Sequence, residues 1–451
     1  MNSNKLNNLG ARISTFKKGI HPHDSKEHSK DEPIVTILPK EGQKLIFPVS
    51  QHIGAPCEPI VAVGDRVLLG QKIAQGSAFV STSIHSSISG TVVEISPKLT
   101  IAGAMVNSIV IENDGKDETI DNYGVERDYS KFTKEEILDI VKENGIVGLG
   151  GAGFPTFIKL NPPPEQKIEY VIINAAECEP YLTTDYRVML ERPEELINGL
   201  EIILSLHKDA KGIIGIETNK PDAIEKINDL VKDNDKIEVI GLVPKYPQGS
   251  EKQLIQACTG RVVSSGALPS TVGCIVANVD TVASIYNAVA FNKPLTTRIV
   301  SWTGEGANKP GNYETRIGTM LNELFDELGG IKETTTKMIA GGPMMGMSIF
   351  TTEVPLIKTS SAFLFLTQNE GVTPCEYNCI RCGKCVSHCP IGLMPLELNY
   401  HAITRNFEEF ENYNGLDCIE CGSCSYVCPS KRHLAQTIRA TKRTVMGMKR
   451  K

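Results

Sequence analysis

The sequence predicts a multidomain α/β protein that ends in a cysteine-rich, helical module. Three observations carry that prediction. The chain has 451 residues, more than one ordinary core accommodates, so about two to four domains are expected. Helix-like and strand-like segments alternate through its middle. Nine of its 13 cysteines fall between Cys375 and Cys428, a clustering that reads as metal binding and not as a disulfide framework. A hydrophobic fraction of 41% with 22% charged residues is ordinary for a soluble globular protein. The net charge of −6 argues against general nucleic-acid binding. No run approaches ~18 apolar residues, so no membrane span is expected. The polar N-terminus lacks the apolar core of a secretory signal.

The elements follow in order. Residues 1–30 are polar and include His21, His23 and His28; a solvated arm is expected there in preference to a metal site. Residues 31–115 alternate apolar and polar positions around glycines, as in "AVGDRVLLGQKIAQ" and "SSISGTVVEI", which predicts short strands. They resemble the flattened barrel, or barrel-sandwich hybrid, of lipoyl and biotinyl carrier domains. The carrier lysine is missing, because the matching hairpin reads "STSIHSSISG", so a structural or docking barrel is expected. Thr133-Lys134-Glu135-Glu136 is a capping box that opens a helix to about Glu143. Across residues 130–290 a strand at 170–175 is followed by alternating helices and strands, with Pro221 suited to a first helical turn. That alternation predicts a parallel sheet covered by helices. Ligands of such sheets bind at the carboxyl ends of the strands, here the loops "NAAECEP" and "PKYPQGSE". Residues 296–350 read as a small mixed β/α module with a short helix in "MLNELFDELGG".

The cysteines lie in two blocks. One is Cys379-x-x-Cys382-x-x-Cys385-x-x-x-Cys389-Pro390, the other Cys418-x-x-Cys421-x-x-Cys424-x-x-x-Cys428-Pro429. This is the spacing of proteins that hold two 4Fe–4S clusters, in which the fourth cysteine of each block serves the other cluster. Cys379, Cys382, Cys385 and Cys428 are thus expected to hold one cluster. Cys418, Cys421, Cys424 and Cys389 are expected to hold the second. Gly383 and Gly422 permit the tight loop turns. Zinc ribbons use two-plus-two spacing without the following proline. Cys375 is expected to be a spare thiol. This ferredoxin-like part spans 366–433. Beyond it lies a basic tail, 434–451; residues 431–451 hold eight Lys or Arg and no acid. Leu434, Ile438 and Thr441 share one helical face of the tail, which suggests docking on anionic lipid or an acidic partner.

Gly148-Leu149-Gly150-Gly151-Ala152-Gly153 exposes backbone N–H groups, as phosphate cradles do. It follows a helix and so departs from the dinucleotide fingerprint. The strings "GLGGAGFPT", "NAAECEP", "GSEKQLIQACTGR" and "ANVDT" resemble, in this order, the flavin- and NADH-binding subunit of respiratory complex I. "GANKPGNYETRIGTMLNELFDELGG" resembles the soluble-ligand-binding β-grasp of that family. The whole order, with Gly19-Ile20-His21-Pro22 near the start and "NAAECEPYLT", closely resembles the RnfC family, a component of the Rnf ion-translocating ferredoxin:NAD oxidoreductases. The full expectation is therefore a carrier-like barrel, an α/β flavin- and NADH-binding domain, a β-grasp and a two-cluster ferredoxin-like α-helical domain.

That resemblance implies bound FMN, exchange of electrons with NAD(H), and a peripheral place on the cytoplasmic side of the cell membrane. It implies partner subunits of a membrane complex, including a ferredoxin-type iron–sulfur subunit. Gly148, Gly150, Gly151 and Gly153 match the flavin-cradling loop, and Lys159 a flavin-contacting lysine. Asn174 and Glu177 match polar residues around the flavin ring, and Asn278 and Thr281 the segment below it. Phe154, Glu179, Tyr246 and Glu251 match positions near the nicotinamide nucleotide. Ala176, Ala277 and Ser250 depart from complex I, which has an aspartate, an asparagine and a glutamate there. The chemistry is the cofactors', so no protein nucleophile or general base is expected. Two other readings share features of the sequence: a flavin iron–sulfur cobalamin reductase, and a non-catalytic docking scaffold.

Overall fold

A computed structural model describes residues 11–371 and 375–449. In the middle of the chain, runs such as Val171-Ile172-Ile173 are apolar on both faces of a strand, so both faces must be covered. The result is a five-stranded parallel sheet. Its order is Arg12–Ser14, Ile237–Leu242, Lys211–Glu217, Tyr170–Ala175, Cys274–Asn278. Alternate residues serve opposite cores. Val171 and Ile173 pack with the helices Pro193–Leu206, Pro221–Val231 and Val279–Phe291. Ile172 packs with Leu254 and Ile255 of the helix Glu251–Thr259. The helix Lys134–Glu143 opens on the expected capping box, in which Thr133 N donates to Glu136 at 2.7 Å and Glu136 N to Thr133 Oγ1 at 3.2 Å.

Residues 11–30 differ from the expected solvated arm; residues 1–10 lie outside the described residues. Arg12–Ser14 extends the edge of the parallel sheet. Phe16, Ile20 and Ser29 are buried, and Ile20 bridges to Tyr246. Gly19 N donates to His388 O at 3.3 Å, and buried Lys26 donates to the carbonyls of Glu179, at 3.1 Å, and Leu182. An open sheet edge supplies unpaired backbone groups, and a few apolar anchors in a polar stretch suffice to hold the segment there.

The barrel is built of a four-stranded sheet, Lys44–Pro48, Met105–Asn113, Gly90–Leu99, Arg66–Val67, and a three-stranded one, Glu58–Pro59, Lys72–Gln75, Ile84–His85. Its carrier-like hairpin is not presented to solvent: residues 81–90 are buried, and Ser87 Oγ donates to Ile317 O. Ile34–Ile37, expected in the barrel, pairs instead with Gly311–Arg316. Four half-exposed residues carry too weak an alternation to say which sheet they join.

The β-grasp sheet runs Met347–Ile349, Thr335–Ala340, Ala362–Thr367, Thr297–Thr303, Gly311–Arg316, Ile34–Ile37. Buried Trp302 packs against Phe325, Phe363 and Phe365 in its core. The module thus reaches beyond residue 350, and Leu366 lies in one of its strands, not in the cluster domain. An apolar strand directly before a cysteine block gives no local sign of which side it serves. The cluster domain contains the helices Pro395–Ile403, Phe407–Asn412 and Leu434–Lys449. The described part of the basic tail is therefore an integral helix. Leu434, Ile438 and Val445 are buried, and Ile438 and Val445 pack in one cluster with Leu393, Leu398 and Phe410.

Candidate functional site

Loop 148–153 projects from the flank of the parallel sheet and is closed by its own backbone: Gly148 N donates to Phe154 O at 2.9 Å. Leu149 N donates to Thr281 Oγ1 at 2.9 Å. Gly150 lies against Asn278, where a Cβ would stand 2.9 Å from the Asn278 Cβ. Gly153 has φ +73° and packs on Thr359 and His52. Gly151 is exposed, with open space where a Cβ would be. The amides of Gly150, Gly151 and Ala152 donate to no protein atom among the described residues. A short glycine turn with free N–H groups is a cradle for phosphate.

The carboxyl ends of the strands meet beside this loop. Asn174 pairs in register with Asn278, and its Nδ2 donates to Gly249 O at 2.8 Å. Gly249 N in turn lies 3.2 Å from Cys178 Sγ, so the two loops expected to hold ligands are joined. Glu177 has φ 52° and accepts from Asp185 N at 2.7 Å. Its Oε2 faces Lys26 Nζ at 3.6 Å and is a buried acceptor without a hydrogen-bond donor. Asn278 Nδ2 donates to Asp185 at 2.7 Å. Burial, with Glu177 and Asp280 adding, pushes the Asp185 carboxyl well above its usual range. The free cradle and the orphaned acceptor fit a ligand that brings both a phosphate and hydrogen-bond donors, as a flavin mononucleotide does.

Glu179 accepts from Met344 N at 3.1 Å and from Tyr246 OH at 3.4 Å. Burial pushes its carboxyl up to about 7 against those hydrogen bonds. Tyr246 is buried in a small cluster with Ile20 and Cys421, flanked by Cys178, Met344, Ile419 and Val427. Lys159 and Glu251 find each other instead of standing alone: Lys159 Nζ is 2.8 Å from Glu251 and 3.0 Å from Val276 O. Phe154 closes the glycine loop through its carbonyl.

The two cysteine loops have the same backbone shape. Arg381 and Gly383 in one, and Glu420 and Gly422 in the other, all have positive φ. Arg381 N points at Cys379 Sγ and Glu420 N at Cys418 Sγ, each at 3.4 Å. Cys379, Cys382, Cys385 and Cys428 line one cavity, open to solvent near Ile380, Tyr400 and Ile403. Cys389, Cys418, Cys421 and Cys424 line another, closed by Ala435 and Ile438. Burial raises the Cys418 thiol to about 11 and the Cys424 thiol further, with neighbouring thiols adding to both. Four converging sulfurs whose anions repel one another suit a cationic iron core. Cys375 is exposed and lines neither cavity.

Residue patterning missed several groups. Lys26 sits in a polar stretch with no local signal. Asp185 lies in the first turn of the helix Thr184–Glu191, directly after the "NAAECEPYLTT" string. Met344 belongs to "GGPMMG", and nothing local to that string points to its contact with Glu179. Arg298 and Lys358 come from the β-grasp module. Arg298 forms an ion pair with Asp280, and its Nη2 reaches Leu149 O at 3.4 Å.

Four family models match the chain. They describe the RnfC barrel sandwich hybrid domain at residues 14–116, the Nuo51 FMN-binding domain at 141–287, the SLBB domain at 299–348 and a 4Fe-4S dicluster domain at 378–432. The chain is 44% identical, over 95% of its length and 94% of the relative's, to the C subunit of the proton-translocating ferredoxin:NAD(+) oxidoreductase complex of Clostridium ljungdahlii. It is 43% identical, over 98% of its length and all of the relative's, to the Na(+)-translocating counterpart of Acetobacterium woodii. The C subunit of an ion-translocating oxidoreductase complex of Vibrio cholerae is 39% identical over 89% of the chain and 52% of its own length.

Proposed function

The chain belongs to the RnfC family of ion-translocating ferredoxin:NAD(+) oxidoreductase complexes, and from that premise we propose how its residues carry out electron transfer among two 4Fe–4S clusters, FMN and NAD(H). The carrying observation is the juxtaposition of Cys421 and Tyr246 in one packed cluster. It sets one cysteine group beside the loops at the strand ends, while the other opens to solvent. Loop 148–153 would receive the FMN phosphate, with Asn174, Glu177, Asn278 and Thr281 around the remainder. Lys159 would contact the flavin, and Phe154, Glu179, Tyr246 and Glu251, the last ion-paired to Lys159, would border the nucleotide. A bound flavin supplies the exchange between two-electron hydride chemistry and one-electron cluster chemistry. The protein's part is positioning and exclusion of water: Tyr246, Met344 and Ile20 fill the space beside Cys421. Cys379, Cys382, Cys385 and Cys428 would hold the outer cluster, and Cys389, Cys418, Cys421 and Cys424 the inner one.

The outer cysteine group is framed by exposed Ile380, Tyr400 and Ile403, with Arg381 and Lys384 at its rim. An iron–sulfur partner would dock on this face. No helix among the described residues is long and apolar enough to cross a membrane. The chain is part of a membrane-associated complex, and we place it peripherally, on the cytoplasmic side where NAD(H) is available. Anaerobic purification followed by flavin and iron analysis tests this reading. One FMN, about eight iron atoms and flavin bleaching by NADH are expected. A folded chain with full iron and no flavin would instead be a docking scaffold.

A further inference from the structure

The glycine loop is held from behind by residues outside the flavin domain. The short segment 357–361, between the β-grasp strands Met347–Ile349 and Ala362–Thr367, passes directly behind it. Lys358 is buried, and its Nζ donates to Ser83 O and to Gly145 O, each at 2.7 Å. Its backbone N donates to Gln51 Oε1 at 3.1 Å. Thr359 presses its methyl against Gly153, where a Cβ would stand 2.7 Å from it. Ser360 O accepts from Arg298 Nε at 2.9 Å, and Arg298 also reaches Leu149 O and Asp280. The strap therefore touches Gly153 at one end of the loop and Gly145 just before the other, while Arg298, bound to its Ser360 carbonyl, reaches Leu149.

We propose that Lys358 and Arg298 are positioning residues that fix loop 148–153 in the conformation that receives the FMN phosphate. This rests on the reading that FMN occupies that loop. A buried ammonium without a carboxylate partner is costly, and a methionine of similar length would fill the same space without that cost. Burial pushes the Lys358 ammonium down to about 7, and its two donated hydrogen bonds go to carbonyls, one on the barrel hairpin and one three residues before the loop. The loop itself is nearly all glycine and alanine, with little side-chain packing of its own and much backbone freedom to lose. Bracing from outside removes that freedom before the ligand arrives, which raises affinity without a new ligand contact. It also gives the barrel hairpin a use: the surface that presents a lysine in carrier domains here accepts one from the β-grasp.

The test uses the full chain with both clusters assembled, stripped of flavin and titrated with FMN alone. Lys358→Met and Arg298→Gln should each weaken FMN binding about tenfold. They should alter the visible circular dichroism of the flavin that does bind. Amide exchange should quicken across 145–156 while iron content and cluster paramagnetic resonance stay unchanged. Gly151→Val, run in parallel, separates the two ideas. If it loses FMN while Lys358→Met and Arg298→Gln bind within about twofold of the parent, the bracing role is overturned alone. If it binds FMN like the parent, the loop assignment falls, and the bracing role with it. Should Lys358→Met fail to fold, Thr359→Gly decides on the same readouts: weaker FMN binding with faster exchange at 145–156 supports the strap, and parental binding overturns it.

Discussion

Glu179 is a carboxylate kept from water by Tyr246, Met344 and the arm. Its group titrates near 4.5 in the unfolded chain and about 7 when folded. The folded state therefore binds the proton more tightly. The stability that this contributes is complete below about pH 4.5 and is lost as pH rises through about 7. Glu179→Gln should remove that dependence. The difference in melting temperature should shift in favour of the variant as pH is raised from about 5 to 8; a constant difference would show that Glu179 is ionised throughout. A second residue-scale consequence concerns Glu251. Read alone, an acid near a ribose disfavours a 2′-phosphate. In the structure it also neutralises Lys159, a cation that would otherwise attract that phosphate. The parent should prefer NADH to NADPH as flavin reductant. Glu251→Gln should lower the ratio of kcat/KM by about tenfold, ~1.4 kcal/mol, and an unchanged ratio would place the pair away from the nucleotide. The glutamate was legible in its string, but its lysine partner lies 92 residues away, beyond what local pattern conveys.

At the scale of the element, the helix Leu434–Lys449 shows where periodicity stops being informative. Leu434, Ile438 and Thr441 visibly share a face, and the same pattern suits a membrane surface or a neighbouring helix. The structure gives that face to the cluster domain, and several of its basic residues to internal partners: Lys442 Nζ donates to Cys418 O at 2.7 Å, and Arg439 pairs with Glu420 at 2.8 Å. A truncation after residue 435 spares every cysteine of the two blocks, yet it removes Ile438 and Val445, each worth roughly 1.5–3 kcal/mol of burial. The inner cluster should go first, because Ile438 lines its cavity. Iron should fall from about eight atoms to about four; undiminished iron with an unchanged melting temperature would contradict this. By contrast, the capping box at Thr133 and the strand–helix alternation from 170 onward are legible in the sequence, because hydrogen bonds within four residues and apolar periodicity set them. The strand Arg12–Ser14 is not, since an edge strand of three residues exists only by virtue of the sheet it joins.

For the whole molecule, the segment 11–32 is a cross-domain tie. It pairs with the parallel sheet at Ile240, touches the cluster domain at His388 and donates from Lys26 into the loop that carries Glu179. Removing residues 1–32 should lower the melting temperature by about 5 °C or more. It should also expose Tyr246, raising solvent quenching of tyrosine fluorescence; retention of the parental melting curve would mean the arm is only laid on the surface. The domain order was legible because each module carries its own short-range signature. The joins were not, because they are made by residues far apart in sequence: Asn312 with Ser29, Lys358 with Ser83 and Gly145, Tyr246 with Cys421.

The same tie also orders events in time. Lys18 and Val386, which meet at 3.5 Å, are separated by 368 residues. At the usual pace of translation of about 5–20 residues per second, that distance is roughly 20 to 70 s of synthesis. The segment thus leaves the ribosome long before the loops on which it comes to rest. The barrel and the parallel sheet, which takes in the segment's own strand Arg12–Ser14, can form first, and its seating on the cluster loops marks the completion of the molecule.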